Sequence, residues 1–117
     1  MTTPKRHLVR ARHELRTLAS PVRQEIIDVL ARMGETTVAA LGAAIGRPAD
    51  GLYYHVRALQ RAGLIRTAGS RGRGGRPELR IRAAASEFAL AYDASPAGNA
   101  REVKAIVASM QIGRAHV

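Results

Sequence analysis

The chain has 117 residues, of which 46% are hydrophobic and only 3% aromatic, with no cysteine and a formal net charge of +10. That length suits one compact domain with limbs, and that apolar content excludes disorder throughout. A core so poor in aromatics must be built from Leu, Ile, Val and Ala, which favours short packed helices. The missing cysteines exclude a disulfide scaffold and any thiolate metal site. No apolar run is long enough to span a membrane. The opening MTTPKRHLVRARHEL has charges but no apolar signal core, so a cytoplasmic location is expected.

The charge is clustered. Residues 5–16 carry net +4, residues 17–46 net −1, residues 47–82 net +7, and the remainder balances. Cations gathered on an opening arm and one middle segment are the footprint of a polyanionic partner. Of the 19 cations, 17 are Arg, which suits bidentate contacts to phosphate and guanine. A GC-rich coding bias would give the same preference.

In chain order, Leu8, Ala11, Leu15 and Leu18 form a narrow stripe, which predicts a basic helix over residues 5–18. That helix either packs on its own domain or forms a dimer interface. Ser20-Pro21 is a strong helix start, with Ser20 as cap and Pro21 in the first turn. The helix runs to about Met33, with Val22, Ile26, Ile27 and Leu30 on one face, and Gly34 ends it. Thr36 or Thr37 then caps VAALGAAI, where Val38, Leu41 and Ile45 share a face. Ala39, Ala40, Ala43 and Ala44 are small enough to let another helix approach closely. Gly46 stops this helix, and Arg47-Pro48 turns into the next.

The stretch PADGLYYHVRALQRAGL is expected to form an amphipathic helix over residues 48–62, closed by Gly63. Leu52, Val56 and Leu59 share the core face, and Ala49, Asp50, Tyr53, Tyr54 and Arg57 fall on the other. Two helices joined by so short a turn, the second rich in outward polar groups, are the geometry of a helix-turn-helix. Leu64–Thr67, a glycine- and arginine-rich tip, and Glu78–Arg82 read as a β-hairpin, with Leu79 and Ile81 on one face. Phe88–Tyr92 fits a strand or a helical turn equally. Asn99 is expected to cap a last helix bearing Val103, Ile106, Val107 and Met110 on one side. Read back through the genetic code, Ile112–Val117 match ATC GGA AGA GCA CAC GTC, the start of a common sequencing-library adapter. They are expected to be a foreign tail, and His116 carries no functional weight.

The segments LASPVRQEIIDVLARMG, VAALGAAIG, LYYHVRALQRAGLI and the arginine-rich tip, in that order over roughly residues 14–83, resemble bacterial ArsR-type winged helix-turn-helix transcription regulators. The resemblance implies a mainly α fold with a small β-hairpin wing. It implies a basic arm over residues 1–13, a DNA-binding domain over 14–83, and a linker and C-terminal dimerisation helix over 84–111. It also implies a homodimer, formed through helices spanning Leu8–Leu18 and Asn99–Gln111, that binds operator DNA, usually as a repressor. The interface would use Leu8, Leu15, Val103, Ile106, Val107 and Met110. Metal-sensing members carry Cys-x-Cys, or His and carboxylate ligands, where this chain has TVAALGAAI and a last helix without His before the tail. No metal and no cofactor is therefore expected, and a small-molecule effector stays open. LYYH in place of the usual small polar residues points to a subgroup with a different operator.

The residues expected to contact DNA are Arg47 in the turn and Ala49, Asp50, Tyr53, Tyr54 and Arg57 on a helix set in the major groove, where base pairs are distinguishable. Tyr hydroxyls can bond phosphates or bases, and their rings can meet thymine methyls. Asp50 either accepts from a cytosine amine or caps the helix. His55 borders the core face, in a structural or phosphate-contacting role. Arg71, Arg73 and Arg76, within the 69–77 wing, are expected at the minor groove or flanking phosphates. RGRGGRP is no nucleotide loop, since Pro77 stands where GxGxxG needs glycine and no GK[ST] follows. No enzyme motif stands out: GxSxG is absent, the acids are scattered, and His7 and His13 do not form an i, i+4 pair. The alternatives are a winged-helix module binding RNA or an acidic protein partner, and nonspecific DNA compaction.

Overall fold

The computed structural model describes residues 3–70 and 78–114. Its elements are β1 (Arg6–Val9), α1 (Arg12–Leu18), α2 (Pro21–Met33), β2 (Thr36–Thr37), α3 (Val38–Ile45), α4 (Ala49–Arg61), β3 (Ile65–Ser70), β4 (Leu79–Ala83), β5 (Glu87–Leu90) and α5 (Ala100–Arg114). Two small sheets flank the helices. One is antiparallel in the order β2-β4-β3, and the other pairs β1 with β5 in parallel.

The helix boundaries follow local chemistry. The Arg23 N–H donates to Ser20 Oγ (3.4 Å), and Pro21 occupies the first turn of α2. Thr37, not Thr36, caps α3, accepting from the Ala40 N–H at 3.1 Å. Gly34 and Gly46 end α2 and α3 at φ of +78° and +72°, where a side chain would be strained.

Leu15, Ile26, Leu30, Leu41, Leu52, Leu59, Leu64, Ile81 and Ile106 form one aliphatic core with no or almost no exposed surface. Leu79 shares a strand face with Ile81 but lies beyond the edge of that core and is exposed.

The helix predicted over residues 5–18 is two elements. Arg6–Val9 is a strand in register with Glu87–Leu90, so Phe88–Tyr92 resolves as strand β5 through Leu90. In β1 the side chains alternate as a strand requires, Leu8 exposed and Val9 buried. The helix starts only at Arg12, where Glu14 reaches back to the Ala11 N–H (3.3 Å) and also meets His7 Nε2 (2.7 Å). The spacing from Leu8 to Leu18 thus spans a strand and a helix rather than one helical stripe.

The two ends of the chain close on each other. Glu102 on α5 is buried and accepts from Arg12 on α1 through both carboxylate oxygens, at 3.3 and 3.4 Å. Burial pushes its pKa up, but the hydrogen bond from Arg12, a backbone hydrogen bond and the charges of Arg12 and Arg16 together hold it below the usual carboxylate value. Gln24 Nε2 ties α2 to both neighbours, donating to the Leu18 carbonyl (2.8 Å) and Ser109 Oγ (2.7 Å).

These contacts correct part of the expected dimer face. Leu15 and Ile106 have no exposed surface and Val103 has 8%, so all three hold α1 and α5 onto their own chain. Leu8, Val107 and Met110 remain at the surface. Asn99 precedes α5 and its carbonyl accepts from the Val103 N–H, but its side chain is turned back to the chain instead of capping the helix.

Candidate nucleic-acid interface

The site is built on the α3–α4 corner. The Gly46 N–H ends α3 on the Gly42 carbonyl, and the Arg47 N–H bonds the same oxygen at 2.9 Å. The chain then doubles back so closely that a Cβ on Gly42 would stand 2.6 Å from the Arg47 carbonyl oxygen. The close approach is therefore at Gly42. Ala39, Ala40, Ala43 and Ala44, expected to serve that purpose, are exposed.

Leu52, Val56 and Leu59 pin α4 to the core. Asp50, Tyr54, Arg57 and Arg61 recur at i, i+4, i+7 and i+11, so they form one outward stripe, and all four are exposed. Tyr53 flanks it at 41% exposure, while Tyr54 reaches 68%. Pro48 occupies the cap position without a side-chain bond, and Asp50 sits in the first helical turn. Asp50 is thus not the cap, though its charge lies favourably at the positive end of the helix. Ala49 is half-buried and packs on the core. Arg47 pairs with Glu25 at 3.7 Å on the exposed surface. Arg71, Arg73 and Arg76 lie outside the described residues.

Arg23, from α2, joins this surface without having been signalled by the sequence. Its Nε–H donates to His55 Nδ1 (3.0 Å), its Nη1 donates to the Thr17 carbonyl (3.2 Å), and its Cζ lies 5.6 Å from the Tyr54 ring centroid. That cation–π distance steadies the most exposed ring of the stripe. An accepting Nδ1 fixes the neutral imidazole with its proton on Nε2. Burial lowers the His55 pKa from 6.5, and the charges of Arg23 and Arg47 lower it further.

A His whose folded pKa is depressed contributes stability that is complete above the unfolded value and is lost as pH falls through the folded one. His55→Gln retains a carbonyl acceptor without a titrating group. The expected outcome is a smaller fall in urea midpoint between about pH 7.5 and pH 5 than in the parent chain. Equal falls in both would show that His55 titration does not contribute to the pH dependence of stability.

The succession of α2, α3 and α4, with a tight α3–α4 corner, followed by the antiparallel strands β3 and β4, matches known proteins at two levels. A family model described as a helix-turn-helix domain matches residues 18–68. That span runs from the end of α1 into β3 and includes the α3–α4 corner. The fold is a winged helix-turn-helix. A solved structure with the same fold is the transcriptional regulator homologue protein from Pyrococcus horikoshii OT3, with a TM-score of 0.50, 18% identity and coverage of 86% of both chains. No curated protein matches the chain. In this winged helix-turn-helix, α4 is the second helix of the helix-turn-helix and β3–β4 are the strands of the wing.

No helix of the described residues is long and apolar enough to cross a membrane. Among the same residues, no group of three or more His, Asp or Glu side chains is placed to hold a metal ion.

Proposed function

We propose that this chain is a homodimeric, sequence-specific DNA-binding transcriptional regulator that acts as a repressor. The observation that carries the reading is the outward stripe of α4. Asp50, Tyr54, Arg57 and Arg61 project from a helix whose other face is locked into the core. A rigid helix with donors, a ring edge and guanidiniums on its free side matches what the major groove offers, since Arg reads guanine and an apolar ring meets thymine methyls.

The other features fit the same reading. The net charge of +10 supplies the attraction to phosphate. The wing over residues 69–77 would bring Arg71, Arg73 and Arg76 to the minor groove or the neighbouring phosphates. Leu8, Val107 and Met110 are the exposed apolar residues that a second copy would cover, and two copies would set their α4 helices about one helical turn of DNA apart. Repression follows from the resemblance to ArsR-type regulators, and the Pyrococcus horikoshii protein's description as a transcriptional regulator homologue is in keeping with it.

The test compares Tyr54→Ala and Arg57→Ala on a selected operator and on random duplex by fluorescence anisotropy. Each substitution is expected to weaken operator binding about tenfold or more, as the loss of a good base contact does, while random duplex changes far less. Equal losses on both duplexes would show that this helix does not read sequence.

A further inference from the structure

We infer that His13, Arg23 and Arg61 form a seat for one DNA backbone phosphate beside the recognition helix, with Tyr54 as its wall. The inference rests on the DNA-binding reading above and adds to it a phosphate contact carried by the helices rather than by the wing.

A cleft of about 280 Å³ opens between α1, the start of α2 and α4. Its polar lining is His13 and Thr17 from α1, Arg23 from α2, and Tyr54 and Arg61 from α4. Two guanidiniums and an imidazole from three different helices thus face one small space, and no carboxylate lines it. Like charges are gathered in this way at a cost, which a bound anion relieves.

Arg23 is pre-positioned for the task. Its Nε and Nη1 are committed to His55 and Thr17, so the guanidinium plane is fixed. Its Nη2 has no hydrogen-bond partner among the described residues and remains available for an incoming oxygen. The Thr17 hydroxyl is itself occupied, donating to the His13 carbonyl at 2.9 Å, which steadies the α1 side of the cleft. Arg61 is exposed and lines the cleft from the α4 side.

The location selects DNA as the source of the anion. Tyr54 and Arg61 line the cleft and also belong to the outward stripe of α4. A duplex that places that stripe in its major groove must carry one sugar–phosphate strand along the stripe's flank, and the cleft lies on that flank. A phosphate held by Arg on a fixed fork gives both register and affinity, because the charge-assisted bonds are short and directional.

The experiment measures affinity of the full chain for its selected operator and for random duplex over a salt series. The variants are Arg61→Gln, which is exposed, and His13→Gln, with Arg23→Gln as the half-buried third. Urea midpoints check that the first two fold as the parent does. Arg61→Gln is expected to lower affinity roughly tenfold on both duplexes and to reduce the slope of log K against log salt by about 1. A duplex with one neutral methylphosphonate at the seat is expected to cost the parent the same factor and the Arg61→Gln variant nothing further. Unchanged slopes in Arg61→Gln and His13→Gln, with Arg57→Ala still losing operator selectivity, would overturn the seat and leave the DNA reading standing. Failure of the parent chain to bind any duplex would overturn both. Inorganic phosphate at matched ionic strength is expected to leave duplex affinity unchanged. Competition by it at sub-millimolar concentration would assign the cleft to a free anion and overturn the proposal.

Discussion

Gly42→Ala is expected to destabilise the chain and to lower operator affinity about tenfold or more, whereas Gly51→Ala, nine residues on, is expected to stabilise it. Both glycines lie within helices, where Ala is favoured by roughly 0.5–1 kcal/mol. What separates them is space. A Cβ on Gly51 meets nothing within 4 Å. A Cβ on Gly42 meets the Arg47 carbonyl at 2.6 Å, the Ala49 nitrogen at 3.4 Å and Leu52 Cδ1 at 3.5 Å. The first two are backbone atoms of the turn and of α4 itself, so no rotamer change relieves the overlap. Overpacking of this kind costs about 1–3 kcal/mol, which exceeds the propensity gain. The relief available is a shift of the turn, and that shift re-aims the outward stripe. Urea midpoints together with operator affinity check both halves of the expectation. A Gly42→Ala chain as stable as its parent and equally tight on the operator would mean that the corner is far softer than its contacts imply.

The second large effect is at Asn99. Its side chain is buried at 2% exposure and makes three bonds to the backbone. Nδ2 donates to the Arg10 carbonyl (3.0 Å) and the Ala91 carbonyl (2.6 Å), and Oδ1 accepts from the Asp93 N–H (2.7 Å). One amide thereby joins the β1–α1 junction, the end of β5, the turn at Asp93 and the start of α5. Asn99→Ala leaves those three groups without their partner in a site that water reaches poorly. The expected cost is about 2–4 kcal/mol. Asn99→Asp is expected to be no better, since a carboxylate cannot donate to two carbonyls. A urea midpoint within experimental error of the parent for either variant would show that the ends of the chain are held by other contacts.

The middle of the fold was legible because its signals are local. Ser20-Pro21, Thr37, Gly34, Gly46 and Gly63 mark boundaries within a few residues of themselves, and the 3.6-residue period of Leu52, Val56 and Leu59 identifies the buried face of α4. The ends were less legible because their partners are remote. Arg6–Val9 becomes a strand only because Glu87–Leu90 lies beside it, and nothing within residues 5–18 distinguishes that from a helical stripe. Asn99 has the composition of a cap, yet its bonds run to Arg10 and Ala91. Leu15 and Ile106 fit an interface by spacing, but α1 and α5 use them to close their own core.

The candidate site divides in the same way. Asp50, Tyr53, Tyr54 and Arg57 are exposed on α4 as their spacing indicates. Arg61 belongs with them and could have been found, since it continues the i, i+4, i+7 series from Asp50. Arg23 could not, because its role depends on meeting His55 and Tyr54 across 32 and 31 positions of sequence. Ala49 shares the outward half of the helical wheel but is held against the core by the approach of α3.

Recognition of a DNA sequence through α4 is the property on which the proposed function stands or falls. The most direct measurement is selection from a pool of random duplexes by the full chain, followed by sequencing of the retained DNA. The expected result is enrichment of one motif, arranged as two inverted half-sites about one helical turn apart, and loss of that enrichment in Arg57→Ala. Retention of duplexes with no sequence in common, at the same affinity as the input pool, would contradict it.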